Sequence, residues 1–243
     1  MIIDSPLETQ RFNIKAGKII IDHINEIERS LRTARAEGYD LLTCRVSTKD
    51  LFLLQALERE GFFLTDTLLY YRTDISSGDS AADDWASPIR DEKSIQQVRE
   101  VVSLAFKGYP SHYSMDKNLN PERCEEIYED WALRSCRDRT VATEVLGRFE
   151  DGKLVAFLSV KDHMSHGEVL LAAVHPLYQG QGLLQKLLSA SVSWARQQGH
   201  HEIFYSTQIQ NIAAQKALIR KGWEISHSFY TLHCWINQGG QKL

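Results

Sequence analysis

The residues best suited to chemistry lie between Leu170 and Leu184. An apolar strand pattern ends at His175-Pro176, and the loop Gln179-Gly180-Gln181-Gly182 then opens directly into an amphipathic helix pattern. The first N–H groups of a helix lack partners inside the helix, and the helix dipole places about half a positive charge there. Glycines let the backbone approach an anion closely. The spacing therefore favours a phosphate or pyrophosphate site, with a plain tight turn as the alternative.

Two other kinds of phosphate-binding loop fit this stretch poorly. A dinucleotide-binding turn needs a third glycine where this chain has Gln185, and it opens a βαβ unit. Here Asp151-Gly152 instead predicts an antiparallel hairpin ahead of the loop. A nucleoside triphosphatase loop would continue with Lys followed by Ser or Thr, and Leu183-Leu184 follow Gly182. We therefore expect neither a dinucleotide-binding fold nor a nucleoside triphosphatase.

Alternating strand and helix patterns must hold this loop in place, and they predict an α/β protein. Small, polar and acidic residues at 74–86 predict a linker, because such residues bury too little apolar surface to become ordered. This linker divides a small N-terminal α/β domain at residues 1–73 from a larger domain at residues 87–243. In the larger domain, the predicted strands begin at 87, 144, 154, 168, 202 and 224, and the predicted helices begin at 94, 121, 182 and 212.

The N-terminal domain contains an echo of the tail of the chain. At the constant offset of 161 residues that separates Gly61 from Gly222, several small and basic residues coincide without a gap. They are Ala34/Ala195, Arg35/Arg196, Gly38/Gly199, Ala56/Ala217, Leu57/Leu218 and Arg59/Arg220. We predict that the N-terminal domain copies the helix–strand–helix–strand unit of the tail, and convergence of two similar units is the alternative. In the front copy, Ser47 or Thr48 is predicted to cap the second helix.

Composition restricts the class of protein and its partners. Of the 243 residues, 43% are hydrophobic and 25% are charged, and the net charge is −4. These values are typical of a globular protein and do not indicate the basic face that a nucleic-acid-binding protein usually carries. Every apolar run is far shorter than the roughly 20 residues of a membrane helix. The four cysteines show no metal-ligand spacing, and the N-terminus shows no signal-peptide pattern. We expect a cytoplasmic protein without metal, membrane or nucleic acid, and a homodimer is left open.

Two motifs resemble the GCN5-related N-acetyltransferase (GNAT) superfamily, over roughly residues 87–236. Val174-x-Pro176-x-Tyr178-Gln179-Gly180-Gln181-Gly182 is similar to its acyl-CoA pyrophosphate loop, and Asn211-x-x-Ala214 followed by Gly222-Trp223 is similar to its pantetheine-side helix and the turn beyond. The resemblance implies a GNAT fold with a splayed mixed sheet in the larger domain, and a partial GNAT repeat in the smaller one. It also implies acetyl-CoA as co-substrate, in the gap between the domain's fourth and fifth strands, and direct acetyl transfer to a primary amine in a ternary complex.

The resemblance assigns cofactor contacts and leaves the acid open. The implied cofactor-binding residues are Ala172, Ala173, Val174, Gln179, Gly180, Gln181, Gly182, Leu183, Leu184 and Asn211. Many members of the family carry a tyrosine that protonates the departing thiolate, but this chain has Leu218 at that position. The acid is therefore Tyr205, Tyr230 or solvent, and a domain that binds coenzyme A without catalysis is the alternative function. Strand alternation groups Tyr205 with Thr207 and Ser206 with Gln208, and either pair can face the gap.

A looser resemblance concerns the acceptor. The stretch His112-Tyr113-Ser114-Met115-Asp116, with Tyr128 and Trp131, is similar to enzymes of the dTDP-fucosamine acetyltransferase type, which acetylate a nucleotide-linked 4-amino-4,6-dideoxy sugar. It implies that His112, Tyr113, Asp116 and Gln208 contact the acceptor, and a solvated loop is the alternative for the first three. An amino acid, a peptide or another small amine is the alternative acceptor.

The base that must take a proton from the amine is also open. A histidine, a carboxylate or a chain of water molecules can serve. His175 is a candidate catalytic residue after the loop strand, although packing against Pro176 explains it equally well. His163 and His166 flank a predicted turn, where surface histidines are common.

Overall fold

A computed structural model describes residues 1–75 and 85–236 of the chain. The chain forms two compact units that interleave along the sequence. Unit 1 comprises Met1–Leu68, Pro110–Ile127 and His227–Leu243, and unit 2 comprises Leu69–Tyr109 and Tyr128–Ser226. Most of the predicted linker at 74–86 lies outside the described residues. The predicted domain boundary there stays a prediction.

Strands and helices alternate as the sequence patterns predict. The strands are β1 (Ile2–Asp4), β2 (Ala16–Ile19), β3 (Leu41–Ser47), β4 (Phe63–Asp74), β5 (Ser87–Pro88), β6 (Glu144–Glu150), β7 (Lys153–Asp162), β8 (Gly167–Val174), β9 (Glu202–Gln208) and β10 (Glu224–Trp235). The helices are α1 (Pro6–Phe12), α2 (Ile27–Ala36), α3 (Leu51–Arg59), α4 (Glu92–Ala105), α5 (Pro121–Arg137), α6 (Leu183–Gln197) and α7 (Ile212–Arg220). Among these helices, none is both long enough and apolar enough to cross a membrane.

Unit 1 is built on a mixed sheet with the strand order β1-β2-β3-β10-β4. β1 and β2 are antiparallel, β2 and β3 are parallel, and β10 runs antiparallel to β3 with Phe229 opposite Ser47. The amphipathic helices α2 and α3 bury Leu31 and Leu57 in a core that also contains Leu42 of β3. Burial of each such side chain contributes about 1.5–3 kcal/mol to folding, so the apolar spacing of the helices fixes their inner faces.

Unit 2 is built on a second set of strands in the order β4-β9-β8-β7-β6-β5. β5 to β8 are antiparallel, and β8 and β9 are parallel. The predicted hairpin is confirmed: Asp151 and Gly152 have φ values of 49° and 75°, as a two-residue turn between twisted strands requires. Helix α6 buries Leu187 and Leu188 completely in the core of this unit.

The predicted internal repeat is present in the structure. Adding 161 to the bounds of β3, α3 and β4 gives the bounds of β9, α7 and β10. The helix ends also correspond, because Gly61 and Gly222 both adopt positive φ, at 93° and 78°. The N-cap prediction in the front copy was wrong. Asp50, not Ser47 or Thr48, accepts the N–H of Leu53 at 2.9 Å, at the position that corresponds to Asn211 in the second copy.

Candidate active site

The glycine-rich loop of unit 2 ends in an uncapped helix start. Gly180 and Gly182 have φ values of 78° and 76°, a backbone conformation that side chains with a Cβ rarely adopt. Gly182 is the N-cap residue of α6, and it has no side chain to accept a hydrogen bond from the first helical turn. A Cβ on Gly180 would meet open space, so the glycine at this position is required by backbone conformation and not by crowding.

The N–H groups of this loop are available to a ligand. Within residues 1–75 and 85–236, no protein atom accepts a hydrogen bond from the N–H groups of residues 180–184. The N–H of Gln179 differs, because it donates to the carbonyl of Pro176 at 3.3 Å. Five successive donors at a helix start form a concentrated anion-binding surface.

Strands β8 and β9 part beside the loop. Their parallel pairing ends at Val169 and Tyr205, while β8 continues to Val174 and β9 continues to Gln208. The resemblance implied a splay at this place, between the fourth and fifth strands of the larger domain. The fold therefore supplies the gap that the resemblance implied.

The free backbone groups along this gap follow from strand alternation. The N–H of His175 donates to Val155 of β7 at 2.9 Å, and Ala156 lies opposite Val174 in the same register. Because hydrogen-bonded and non-hydrogen-bonded pairs alternate between antiparallel strands, the N–H groups of Ala172 and Val174 face away from β7, toward the gap. The N–H of Ala173 faces β7 instead. Only alternate residues of this strand can therefore offer backbone donors to a ligand in the gap.

A polar cluster lies at the end of β9. The Tyr109 hydroxyl donates to Oε1 of Gln208, and Nδ2 of Asn211 donates to the Tyr109 hydroxyl at 3.1 Å. Asn211 also caps α7, since its Oδ1 accepts the N–H of Ala214 at 3.1 Å. Tyr109 was missed in the sequence analysis. It follows α4 in a short Gly-Tyr-Pro segment that carries no motif.

Comparison with known proteins identifies the family. The family model described as the acetyltransferase (GNAT) family matches residues 100–223, just over half of the chain. The chain belongs to the GNAT family. No curated protein matches it. GNAT proteins use acetyl-CoA, and among the described residues no group of three or more His, Cys, Asp or Glu side chains is arranged to hold a metal ion.

Solved structures are similar to the chain over nearly its whole length. A GCN5-related N-acetyltransferase from Sphaerobacter thermophilus has a TM-score of 0.63 at 15% identity, over 95% of this chain and 75% of that one. A tandem GNAT protein from the clavulanic acid biosynthesis pathway has a TM-score of 0.59 at 15% identity, over 93% and 76%. A GCN5-related N-acetyltransferase from Kribbella flavida has a TM-score of 0.58 at 14% identity, over 94% and 83%. At such identities the similarity shows the fold alone.

The position of the usual GNAT tyrosine is closed in this chain. Leu218 is completely buried in the core of unit 2. Of the two strand faces left open by the sequence, Tyr205 and Thr207 are buried, while Ser206 and Gln208 are half-buried. Burial, and then the nearby Tyr109, raise the pKa of Tyr205. A tyrosine with a raised pKa stays protonated at neutral pH, as an acid must.

The remaining candidate catalytic residues, Tyr230 and His175, lie in different units. Tyr230 packs against the core of unit 1. His175 belongs to unit 2, where its Nδ1 accepts the N–H of Leu177 at 3.2 Å and its ring meets Tyr178 edge to face at 5.7 Å. These contacts fix the turn that leads into the glycine loop. Tyr205 and Tyr230 thus lie in different units.

The predicted acceptor residues His112, Tyr113 and Asp116 form a network in unit 1. His112 lies against Tyr113, with ring centroids 3.8 Å apart, and its Nδ1 is 2.9 Å from Nε2 of His233. Nδ1 of His233 is in turn 2.7 Å from a carboxylate oxygen of Asp116. Tyr113 donates to Glu8 at 3.0 Å. The sequence analysis missed His233, whose one signal is a histidine within the otherwise apolar end of a strand. Gln208, the fourth predicted acceptor residue, belongs to unit 2.

Proposed function

We propose that the chain is an acetyl-CoA-dependent N-acetyltransferase that transfers an acetyl group directly to a primary amine in a ternary complex. The observation that supports this most strongly is the unpaired N–H groups of residues 180–184, next to the gap between β8 and β9. The loop groups bind the diphosphate of coenzyme A, because a helix start favours negative charge. The N–H of Ala172 binds the pantetheine arm, which carries amide carbonyls. Asn211 contacts the same arm from the start of α7.

The proposed chemistry needs little beyond positioning. The amine attacks the thioester carbonyl, whose oxygen gains negative charge and accepts a hydrogen bond from the N–H of Val174. Most of the rate gain comes from holding the amine and the carbonyl about 3–3.5 Å apart. The C–S bond breaks, and the departing thiolate takes a proton from a phenol or from solvent. The nitrogen loses its protons to a histidine, a carboxylate or a chain of water molecules. The candidate phenols of unit 2 are Tyr205 on β9 and Tyr109 in the cluster with Asn211.

The proposed acceptor is a small primary amine, with a nucleotide-linked amino sugar as the first candidate. The resemblance of the stretch from His112 to Asp116 to sugar acetyltransferases supports this choice. Amino acids and peptides are the second class of acceptor. Both classes of acceptor present the same nucleophile, an aliphatic amine that is mostly protonated at neutral pH.

A second candidate function is binding of acyl-CoA without catalysis. The buried Leu218 favours it, since a leucine cannot donate a proton and its side chain is completely shielded from solvent. In this function the loop and the gap would still bind coenzyme A. The two functions therefore differ in turnover and not in affinity.

One experiment separates these functions. Isothermal titration measures acetyl-CoA binding, and a thiol-release assay measures turnover with dTDP-4-amino-4,6-dideoxygalactose, free amino acids, short peptides and diamines, with products identified by mass spectrometry. Thiol release together with an acetylated amine supports the enzyme. Binding without release for every amine supports the second function. Absence of acetyl-CoA binding contradicts both.

A further inference from the structure

Two cationic side chains of unit 2 share one indole ring beside the start of α6. The Lys186 ammonium lies 5.5 Å from the centroid of the Trp85 ring, and the Arg148 guanidinium lies 5.3 Å from it. Nη1 of Arg148 also donates a hydrogen bond to the carbonyl of Trp85 at 3.3 Å. We call these three residues the Trp85 cluster. Because like charges repel each other at short range, two cations around one ring call for an explanation beyond packing.

Within residues 1–75 and 85–236, the protein only partly neutralises these two charges. Lys186 is exposed, and no carboxylate of the described residues forms an ion pair with it. Nε of Arg148 lies 3.9 Å from a carboxylate oxygen of Glu150, which is too long for a hydrogen bond, and this Nε is buried without a hydrogen-bond partner. The cluster is thus a local excess of positive charge in a chain whose net charge is −4, and it has donors to offer an anion.

The sheet register places Arg148 next to the glycine loop. Arg148 of β6 is opposite Ala156 of β7, and Ala156 is opposite Val174, the last residue of β8 before the loop. Residues directly opposite one another share a sheet face, and neighbouring strands are about 4.8 Å apart. Arg148 therefore lies roughly 10 Å from the base of the loop. It is also on the face that α6 covers, since Ala156 packs in one core with Leu187 of α6.

Lys186 approaches the same loop from the first turns of α6. Its N–H donates to the carbonyl of the N-cap residue Gly182 at 3.2 Å, so Lys186 lies one helical turn, or about 6 Å, beyond Gly182. Long side chains of a helix point back toward its N-terminus. The ammonium of Lys186 is therefore directed toward the end of α6 that carries the unpaired N–H groups of residues 180–184.

The Trp85 cluster and the gap lie on opposite sides of the loop. The strands follow the order β9-β8-β7-β6, so the gap borders one side of β8 and Arg148 lies two strands away on the other side. A ligand whose diphosphate binds at the helix start, and whose one arm enters the gap, can extend its other arm over the cluster. Coenzyme A has this form, because its diphosphate joins the pantetheine arm to a ribose that carries a phosphate on its 3′-oxygen.

We propose that Lys186 and Arg148 bind the 3′-phosphate of coenzyme A and make the chain selective for coenzyme A over its 3′-dephosphorylated form. This inference rests on the proposed function. A phosphate monoester carries a charge of about −1.5 to −2 at pH 7, which complements the two cations. The guanidinium fork binds phosphate oxygens in pairs, and the ammonium acts as a point charge. Contacts with the Trp85 ring hold both side chains beside the loop, which reduces the entropy that they lose on binding.

Calorimetric titration with coenzyme A and with dephospho-coenzyme A tests the proposal without any turnover. A partly exposed contact between two charged groups contributes about 5- to 10-fold to affinity. We therefore expect the unchanged protein to bind coenzyme A roughly 25- to 100-fold more tightly than dephospho-coenzyme A. Lys186→Gln and Arg148→Gln should each lower the affinity for coenzyme A about 5- to 10-fold and leave that for dephospho-coenzyme A unchanged. Lys221→Gln serves as control, since it removes the same charge from an exposed residue at the C-terminal end of α7.

Several outcomes overturn the proposal. Equal affinities of the unchanged protein for the two ligands do so, and they leave the proposed function intact. Equal losses for both ligands in Lys186→Gln would indicate a disturbed helix start instead of a lost phosphate contact. A loss of preference in Lys221→Gln as large as that in Lys186→Gln would assign the preference to net charge alone. Absence of binding for both ligands in the unchanged protein would contradict the proposed function, and this inference with it.

Discussion

Replacement of Gly182 by valine tests the cofactor loop most directly. Gly182 has a φ of 76°, so a β-branched residue must leave this conformation or pay roughly 1–2 kcal/mol in steric strain. A Cβ at this position would lie 3.1 Å from Oε1 of Gln185, the end of a flexible side chain that can move away. The backbone conformation, and not a clash, is therefore what the substitution disturbs.

The expected loss of affinity follows from the number of N–H groups that lose their direction. A hydrogen bond to a charged group contributes about 1.5–3 kcal/mol. Loss of one such bond to the diphosphate weakens binding roughly 10- to 150-fold. Isothermal titration with acetyl-CoA measures the change, and titration with a phosphate-free pantetheine thioester should show a much smaller one.

Gly199→Val is the matched control. Gly199 has a φ of 83° at the other end of α6, with open space around a Cβ. Both variants should lose similar free energy of unfolding, but only Gly182→Val should lose acetyl-CoA affinity. Equal affinity in Gly182→Val and the unchanged protein would refute the assignment of the diphosphate to this loop. Equal losses in the two variants would indicate an effect of stability alone.

Three further outcomes are expected. Only one of the variants Tyr109→Phe and Tyr205→Phe should slow thiol release strongly, because the phenol that protonates the thiolate contributes at least about 100-fold to kcat. Small and equal decreases in kcat in both variants would leave solvent as the acid. Asp50→Ala should lower the free energy of unfolding in urea by about 1 kcal/mol, and Asn211→Ala should lower it as much and also weaken acetyl-CoA binding. If Asn211→Ala and the unchanged protein bound acetyl-CoA equally well, the cofactor role of Asn211 would be contradicted. Because the pKa of Asp116 is lowered in the folded state, its carboxylate stabilises the fold above about pH 4, and this stabilisation is lost as pH falls. The free energy of unfolding of the unchanged protein should therefore depend more steeply on pH between about 5 and 2 than that of Asp116→Asn. Parallel curves for the two proteins would contradict this.

The local signals in the sequence predicted the elements well. Strand and helix patterns have short periods, so residues 202–208 and 212–220 reveal their structure without reference to the rest of the chain. The glycine loop was predictable for the same reason, since Gly180 and Gly182 have a local conformational requirement. The prediction of the N-cap residue of α3 was wrong because several polar residues precede the helix, and only the backbone geometry selects Asp50 among them.

Long-range contacts were not predictable from these signals. Strand β10 pairs with β3 although Phe229 and Ser47 are far apart in the chain. His112 and His233 are 121 residues apart, and Tyr109 and Asn211 are 102 apart. No periodicity links such positions, because each partner satisfies its own strand or loop pattern equally well without the other.

Because the fold contains two copies of one unit, residues at corresponding positions can be compared within the same chain. At the repeat offset, Gly180 and Gly182 correspond to Ile19 and Ile21, both buried, and Leu183 corresponds to Asp22. The two copies thus share the C-terminal ends of both helices and the N-cap position of the second helix, but the front copy has neither of the two loop glycines. Features that both copies share are therefore those that folding requires. Features found only in the second copy, such as the glycine loop, are those that we expect ligand binding to require.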